Sequence, residues 1–221
     1  MLYDYEFLKQ EHYIYNDSPK FFENGFPNVD DFVTIQDVEK CLNASDHFYP
    51  TQIIDGVTGL QYYDKPKHEV FNDINNGHTF YLRNYSLYSD YTNELVRHVE
   101  EIFNCRSDIH VYGGTNYYEN NSFGAHTDVS ATFIVQVLGK TEWTVYNERT
   151  GISHPPKSNE PEEKFTIHTN VVMEKGDVLY IPFRGYHKAV PQGPRLSMSI
   201  SLWEGTPNVD RRKYRLENLW K

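Results

Sequence analysis

From Cys105 onward, apolar and polar positions alternate in short runs broken by turn residues. The runs are "DIHVYG", "ATFIVQVLG", "TEWTVY", "KFTIHTNVVM", "GDVLYIPF" and "PRLSMSISLW", and Gly, Pro, Asn and Lys punctuate them. Several short strands at close spacing predict a sandwich or barrel rather than a parallel α/β sheet. "LGKT" predicts a hairpin turn between two of the strands. Upstream the period lengthens. Asp31 to Asn43 reads as a short helix that Thr34 and Asp37 open with a capping-box-like start. "GHTFYL" reads as a strand, and Asp90 to Asn104 puts Leu95, Val99, Ile102 and Phe103 on one helical face, predicting an amphipathic helix packed on a sheet. The C-terminal "NVDRRKYRLENLWK" predicts one closing helix. No repeat, low-complexity segment or linker interrupts the chain. The pattern therefore predicts a mainly β (α+β) protein of one domain over residues 1–221. In it an N-terminal α/β flank (about 1–105) precedes a barrel-like core (about 106–205) and a tail (206–221).

Composition narrows the function classes. At 221 residues the chain is long enough to bury a sizeable core without staples. Its 21 basic against 31 acidic residues leave a formal charge of −10, so the clustered basic face of a nucleic-acid binder is not expected. An acidic surface suits a basic peptide or protein partner, but it equally describes ordinary solvation. Two cysteines, Cys41 and Cys105, lack metal-type spacing and argue against a disulfide scaffold. The N-terminus has no apolar signal core, and no run reaches bilayer length. These features predict a soluble protein in the reducing cytoplasm, with no membrane partner. Tyrosine is abundant, with 18 residues, many on strand-like segments.

Chemistry concentrates in "FGAHTDVSATF". His126 and Asp128 have like parity, so on a strand they project to one face and offer a nitrogen and an oxygen ligand. His-x-Asp alone recurs by chance, and a lone histidine is more often solvated or hydrogen-bonded in a core. The best third ligand is His187 in "GDVLYIPFRGYHKAV", after a strand that ends at Pro182. Two histidines and one carboxylate form the facial triad of non-haem Fe(II) oxygenases, which leaves positions open for co-substrate and oxygen. The other histidines read as structural or solvated.

The wider pattern resembles the JmjC-type, cupin-like Fe(II)- and 2-oxoglutarate-dependent oxygenases, and within them the branch of ribosomal-protein hydroxylases. The shared features are Tyr112 on a strand, "GAHTD" at 124–128, Gln136 to Gly139, then Trp143 and Tyr146. "GDVLYIP" at 176–182, His187 and the serines from Ser197 to Ser201 follow, and the likeness covers roughly residues 30–205. The resemblance implies a double-stranded β-helix (jelly roll or cupin), Fe(II) at His126, Asp128 and His187, and 2-oxoglutarate and O2 as co-substrates. It implies hydroxylation of an amino-acid side chain in a peptide or protein. Two other readings stay open: the same chemistry on a free amino acid or small metabolite, and a non-catalytic cupin-type binding module. Oligomeric state is undetermined, a homodimer included.

One departure from that family concerns the anchor for the distal carboxylate of 2-oxoglutarate. The branch places a lysine where Thr141 stands here, while Lys140 falls one place early, in the turn. A one-residue offset points a side chain to the other face. In "PRLSMSISL", Arg195, Ser197, Ser199 and Ser201 alternate with apolar residues, and that polar face lines either a pocket or solvent. Arg-x-Ser after the last metal histidine resembles the anchor of other 2-oxoglutarate oxygenases, and a guanidinium grips a carboxylate in a bidentate fork. The expected co-substrate residues are Arg195 and Ser197, with Thr141, Tyr112 and Lys140 as further candidates. His110 shares a strand face with Tyr112, which reads either as a pocket tyrosine or as a structural core tyrosine; Gln136 is expected to reach the pocket floor, and "GGTNYYENNSFG" is expected to form a substrate lip.

Overall fold

The computed structural model describes residues 4–10, 13, 18–43, 51–54, 61–62, 67–115, 123–149 and 164–207. The large sheet contains β1 (Lys20–Phe22), β2 (Thr51–Ile54), β3 (Gln61–Tyr62), β4 (Thr79–Leu82), β5 (Cys105–Gly114), β6 (Ser130–Leu138), β9 (Val178–Ile181) and β11 (Arg195–Pro207). Its order is β1-β9-β6-β11-β5-β4-β2-β3. The small sheet runs β10-β7-β8, with β7 at Thr141–Arg149, β8 at Ile167–Met173 and β10 at Gly185–Pro191. All pairings between these strands are antiparallel. Three α-helices accompany them among the described residues: α1 (Ile35–Asn43), α2 (Lys67–Asn75) and α3 (Asp90–Phe103). This is the two-sheet arrangement that the strand pattern predicts, in the jelly-roll form that the resemblance implies.

Alternation along the central strands divides the core into two layers. Phe133, Val135, Met198, Ile200 and Val178 face the flank, where Phe7, Phe26, Phe32, Leu95 and Val99 cover them. The opposite parity of the same strands, Ile134, Leu179 and Ile181, meets Trp143, Val145, Met173 and Ala189 of the small sheet. Phe133 is an aromatic hub, with the rings of Phe7, Tyr13, Phe103 and Tyr180 all within 5.7 Å of its centroid. The predicted face of α3 carries this contact: Leu95 and Val99 are fully buried, and Ile102 and Phe103 are partly so. α1 starts at Ile35, four residues after the expected start, because Thr34 caps it. Thr34 Oγ1 accepts from the Asp37 N–H at 3.1 Å and donates to the Asp37 carboxylate at 2.7 Å.

Three sequence expectations change. "LGKT" is not a hairpin: β6 pairs with β9 and β11, β7 pairs with β8 and β10, and the turn crosses between sheets. Gly139 has φ +69 there, and a Cβ would lie 2.0 Å from the Pro194 carbonyl oxygen. The turn therefore packs directly on the chain entering β11, which only glycine permits. His126 and Asp128 precede β6 rather than sharing a strand; His126 alone makes an isolated bridge. Conversely, His187 lies on β10, a strand hidden by its Gly, Lys and Pro and by a bulge between Gly185 and His187. The closing helix and most of the expected substrate lip fall outside the described residues.

The flank is also fixed by a buried acid. Asp177 accepts the backbone N–H groups of Asn24 and Glu174, both at 2.8 Å, and Phe26 N–H donates to the Gly176 carbonyl at 2.8 Å. We propose that flank and β-core unfold as one cooperative unit. Asp177→Ala then lowers the unfolding free energy by roughly 1.5–3 kcal/mol in a single denaturant transition. Two separated transitions, or a proteolytic core fragment that stays folded, would contradict that unity.

Candidate metal centre

The chain segment before β6 and the start of β10 are locked to each other. His126 N–H donates to the His187 carbonyl at 3.0 Å, and His187 N–H donates back to the His126 carbonyl at 2.9 Å. This reciprocal pair sets two imidazoles side by side, with ring centroids 4.3 Å apart. Asp128 closes the group: its Oδ2 lies 3.6 Å from His187 Nε2 and its Oδ1 lies 3.9 Å from His126 Nε2. The three ligand atoms lie within 4.8 Å of one another, close enough to converge on one ion.

Each ring is held by its other nitrogen. His126 Nδ1 lies 2.9 Å from the Gly124 carbonyl, and His187 Nδ1 lies 2.9 Å from the Gly185 carbonyl. A carbonyl oxygen only accepts, so both Nδ1 atoms carry the proton and both Nε2 lone pairs point towards Asp128. Burial holds the His187 imidazole down at about 4, and neighbouring His126 adds to the effect while Asp128 opposes it. It is therefore neutral, as a metal ligand must be. His187 is 3% exposed, whereas the Asp128 side chain is 44% exposed, so the group is closed on the β10 side and open on the other.

The polar face of β11 points inward and not to solvent. Ser197 stands opposite Gln136 of β6 and Tyr112 of β5, on the side of the large sheet that faces the small one. Arg195, Ser197, Ser199 and Ser201 are all buried. Ser197 donates to Gln136 Oε1 at 3.0 Å, and Gln136 Nε2 donates to the Leu138 carbonyl at 2.8 Å, so these two are mutually satisfied. Arg195 differs. Its Nε has no partner among the described residues, and burial lowers its guanidinium to about 10, with the Tyr112 phenol opposing. It stays charged at neutral pH, with no described carboxylate to compensate it. A dicarboxylate would supply the missing charge.

Lys140 does not join them. Its side chain is 54% exposed and pairs with Glu174 on the surface, because the inter-sheet turn aims it outward. Thr141, the next residue, is fully buried with an unpartnered Oγ1. Tyr112 stacks on Tyr81 at 4.5 Å, and burial raises both phenols, so both remain protonated. Tyr81 was not legible as a site neighbour, since nothing in "GHTFYL" says which strand it pairs with. His110 is structural. Its Nδ1 accepts from Asn84 N–H at 3.0 Å, and its Nε2 lies 3.1 Å from Asp108. Phe123, the described end of the expected lip, rests 5.1 Å from the His126 ring.

Residues 86–209 match the JmjC domain model, more than half of the chain, and the protein belongs to the JmjC domain family. Among curated proteins, it is 29% identical over 121 residues to the bifunctional lysine-specific demethylase and histidyl-hydroxylase NO66 of Aedes aegypti. That match covers 50% of this chain and 18% of the relative, so the chain spans under a fifth of the protein it matches. Among solved structures, Escherichia coli YcfD aligns over 92% of this chain and 53% of its own, at TM-score 0.70 and 18% identity. A YcfD structure described as a ribosomal oxygenase with cobalt and 2-oxoglutarate aligns over 92% of this chain and 52% of its own, with TM-score 0.69 and 18% identity. At that identity the likeness is one of fold. No helix among the described residues is long and apolar enough to cross a membrane.

If the three side chains form one site, the protein binds one divalent first-row ion per chain, and His126→Ala or Asp128→Ala loses it. Metal analysis after dialysis checks this against circular dichroism, which should show both variants folded. Retention of a full equivalent by either variant would remove that residue from the ligand set.

Proposed function

We propose that this protein is an Fe(II)- and 2-oxoglutarate-dependent oxygenase that hydroxylates a side chain of a peptide or protein. The observation that carries this reading is the pairing of a two-histidine, one-carboxylate group with a buried arginine, on the inner face of the large sheet, that no described carboxylate neutralises. A metal-binding module needs only the first. Family membership and the names of the relatives support the same reading.

The residues divide the work. His126, Asp128 and His187 hold Fe(II), leaving its other positions open. Arg195 takes the distal carboxylate of 2-oxoglutarate, with the Thr141 hydroxyl as a second donor. Tyr112 borders Arg195, and the Ser197–Gln136 pair keeps the chamber floor in place. When bound, the metal and co-substrate use O2 to put one oxygen atom into a substrate C–H bond and the other into succinate, releasing CO2. The protein's part is to orient these groups and exclude water. The half-buried edge at Asp128 and Phe123 faces the substrate.

Two measurements test this. The protein should release succinate from 2-oxoglutarate with Fe(II), and in peptide and metabolite pools it should add about 16 Da, one oxygen atom, to a peptide. Mass gain confined to small metabolites would move the substrate class, and no succinate under any condition would leave a binding module. Arg195→Ala should weaken 2-oxoglutarate binding about ten- to a hundred-fold, the loss of one charged hydrogen-bond partner, while Lys140→Ala changes it little. The reverse ranking would place the anchor in the turn.

A further inference from the structure

Five buried side-chain polar atoms lack a partner among the described residues: Ser107 Oγ, Thr141 Oγ1, Trp143 Nε1, Arg184 Nε and Arg195 Nε. Three of them lie where the two sheets face each other. Thr141 and Trp143 have like parity on β7, and Trp143 packs with Ile134, Leu179 and Ile181 of the large sheet, so that face of β7 looks inward. Arg195 enters from β11 beside Gly139, two residues before Thr141, where a Gly139 Cβ would be 3.2 Å from the Arg195 Cα. A buried N–H or O–H left unpaired costs about 1–3 kcal/mol, so three in one inter-sheet space mark the place of an acceptor-rich ligand.

Register orders these donors along the chamber. On the β7–β10 ladder His187 stands opposite Val145, Ala189 opposite Trp143 and Pro191 opposite Thr141. Each two-residue step is about 6.6 Å. Trp143 therefore stands one step from the metal ligand and Thr141 two steps, at the end where Arg195 enters. The Trp143 and His187 ring centroids are 6.0 Å apart, which brings the indole alongside the metal-binding imidazole.

We propose that Trp143 is a further co-substrate residue: its indole Nε1–H donates to a carboxylate oxygen of the bound 2-oxo dicarboxylate, between the metal ligands and the Arg195 anchor. The proposal rests on the co-substrate reading above and adds a residue to it. The indole has no acceptor among the described residues to satisfy it. Trp203, by contrast, donates its Nε1–H to Asp108 at 3.3 Å, well away from this chamber. A rigid indole wall with one donor also selects ligand shape, since a flexible lysine at this level would accept many acids.

The chain has three tryptophans, which makes the test direct. Indole N–H signals of 15N-labelled protein are recorded with Zn(II), a diamagnetic occupant of the metal site, while 2-oxoglutarate is added. The Trp143 signal is identified by its absence in Trp143→Phe. It should move downfield and exchange more slowly with water as the ligand saturates, while the Trp203 signal stays in place. By calorimetry, Trp143→Phe should bind 2-oxoglutarate about ten- to a hundred-fold more weakly at unchanged Zn(II) affinity, as for one hydrogen bond to a charged group. A wild-type protein that binds 2-oxoglutarate with no movement of the Trp143 signal overturns this inference and leaves the oxygenase reading intact. A wild-type protein that does not bind 2-oxoglutarate overturns both. If Trp143→Phe fails to fold, the wild-type signal still decides, assigned by Trp203→Phe and Trp220→Phe.

Discussion

The reciprocal backbone hydrogen bonds between His126 and His187 are the constraint on which the site depends. They join two segments separated by more than 60 residues, one entering the large sheet and one belonging to the small sheet. Without them the imidazoles would sit on independent sheets, free to shift by the ångström that separates a chelating set from a loose one. With them, each ring needs only its Nδ1–H bond to a carbonyl two residues upstream to fix its lone pair. Gly124 and Gly185 stand at those upstream positions, so the carbonyls that aim the ligands belong to the turns that deliver them.

Burial then separates the two ends of the chamber by sign. Asp128 supplies a carboxylate at the metal end, beside the His126 ring and the neutral His187 imidazole. At the other end Arg195 is a cation that no described carboxylate neutralises. Leaving such a charge unpaired in a well-packed protein is costly, and packing alone does not explain it. Under the proposed function, the unpaired donors of Arg195, Thr141 and Trp143 are held for a dicarboxylate in the space between the two sheets, beside the satisfied Ser197–Gln136 pair.

Much of this was legible in the chain. The strand runs, the α3 face and the Thr34 cap follow from period, parity and capping chemistry, whereas the three metal-type residues and the preference for Arg195 over Lys140 lean on the family resemblance as well. The errors were local and share a cause: pairing partners are not written in a single strand. "LGKT" looks like a hairpin because both sides are strands, yet the two strands belong to different sheets. Parity put His126 and Asp128 on one face of a strand; in fact an isolated bridge places the first and a loop the second. β10 was missed because Gly, Lys and Pro mask its alternation and a bulge breaks its period. Tyr81 and the unpartnered indole of Trp143 carry no local signal and depend on which strands face each other.

Optical absorption under anaerobic conditions tests the central claim most directly. A 2-oxo acid chelated to Fe(II) through its keto and carboxylate oxygens gives a visible metal-to-ligand charge-transfer band, which neither component shows alone. The account predicts this band when Fe(II) and 2-oxoglutarate are both added to the wild-type protein. It also predicts loss of the band in His187→Ala and a higher 2-oxoglutarate requirement when Arg195 is replaced by glutamine. A wild-type protein that binds Fe(II) but shows no band, or a His187→Ala protein that shows it undiminished, would contradict the account.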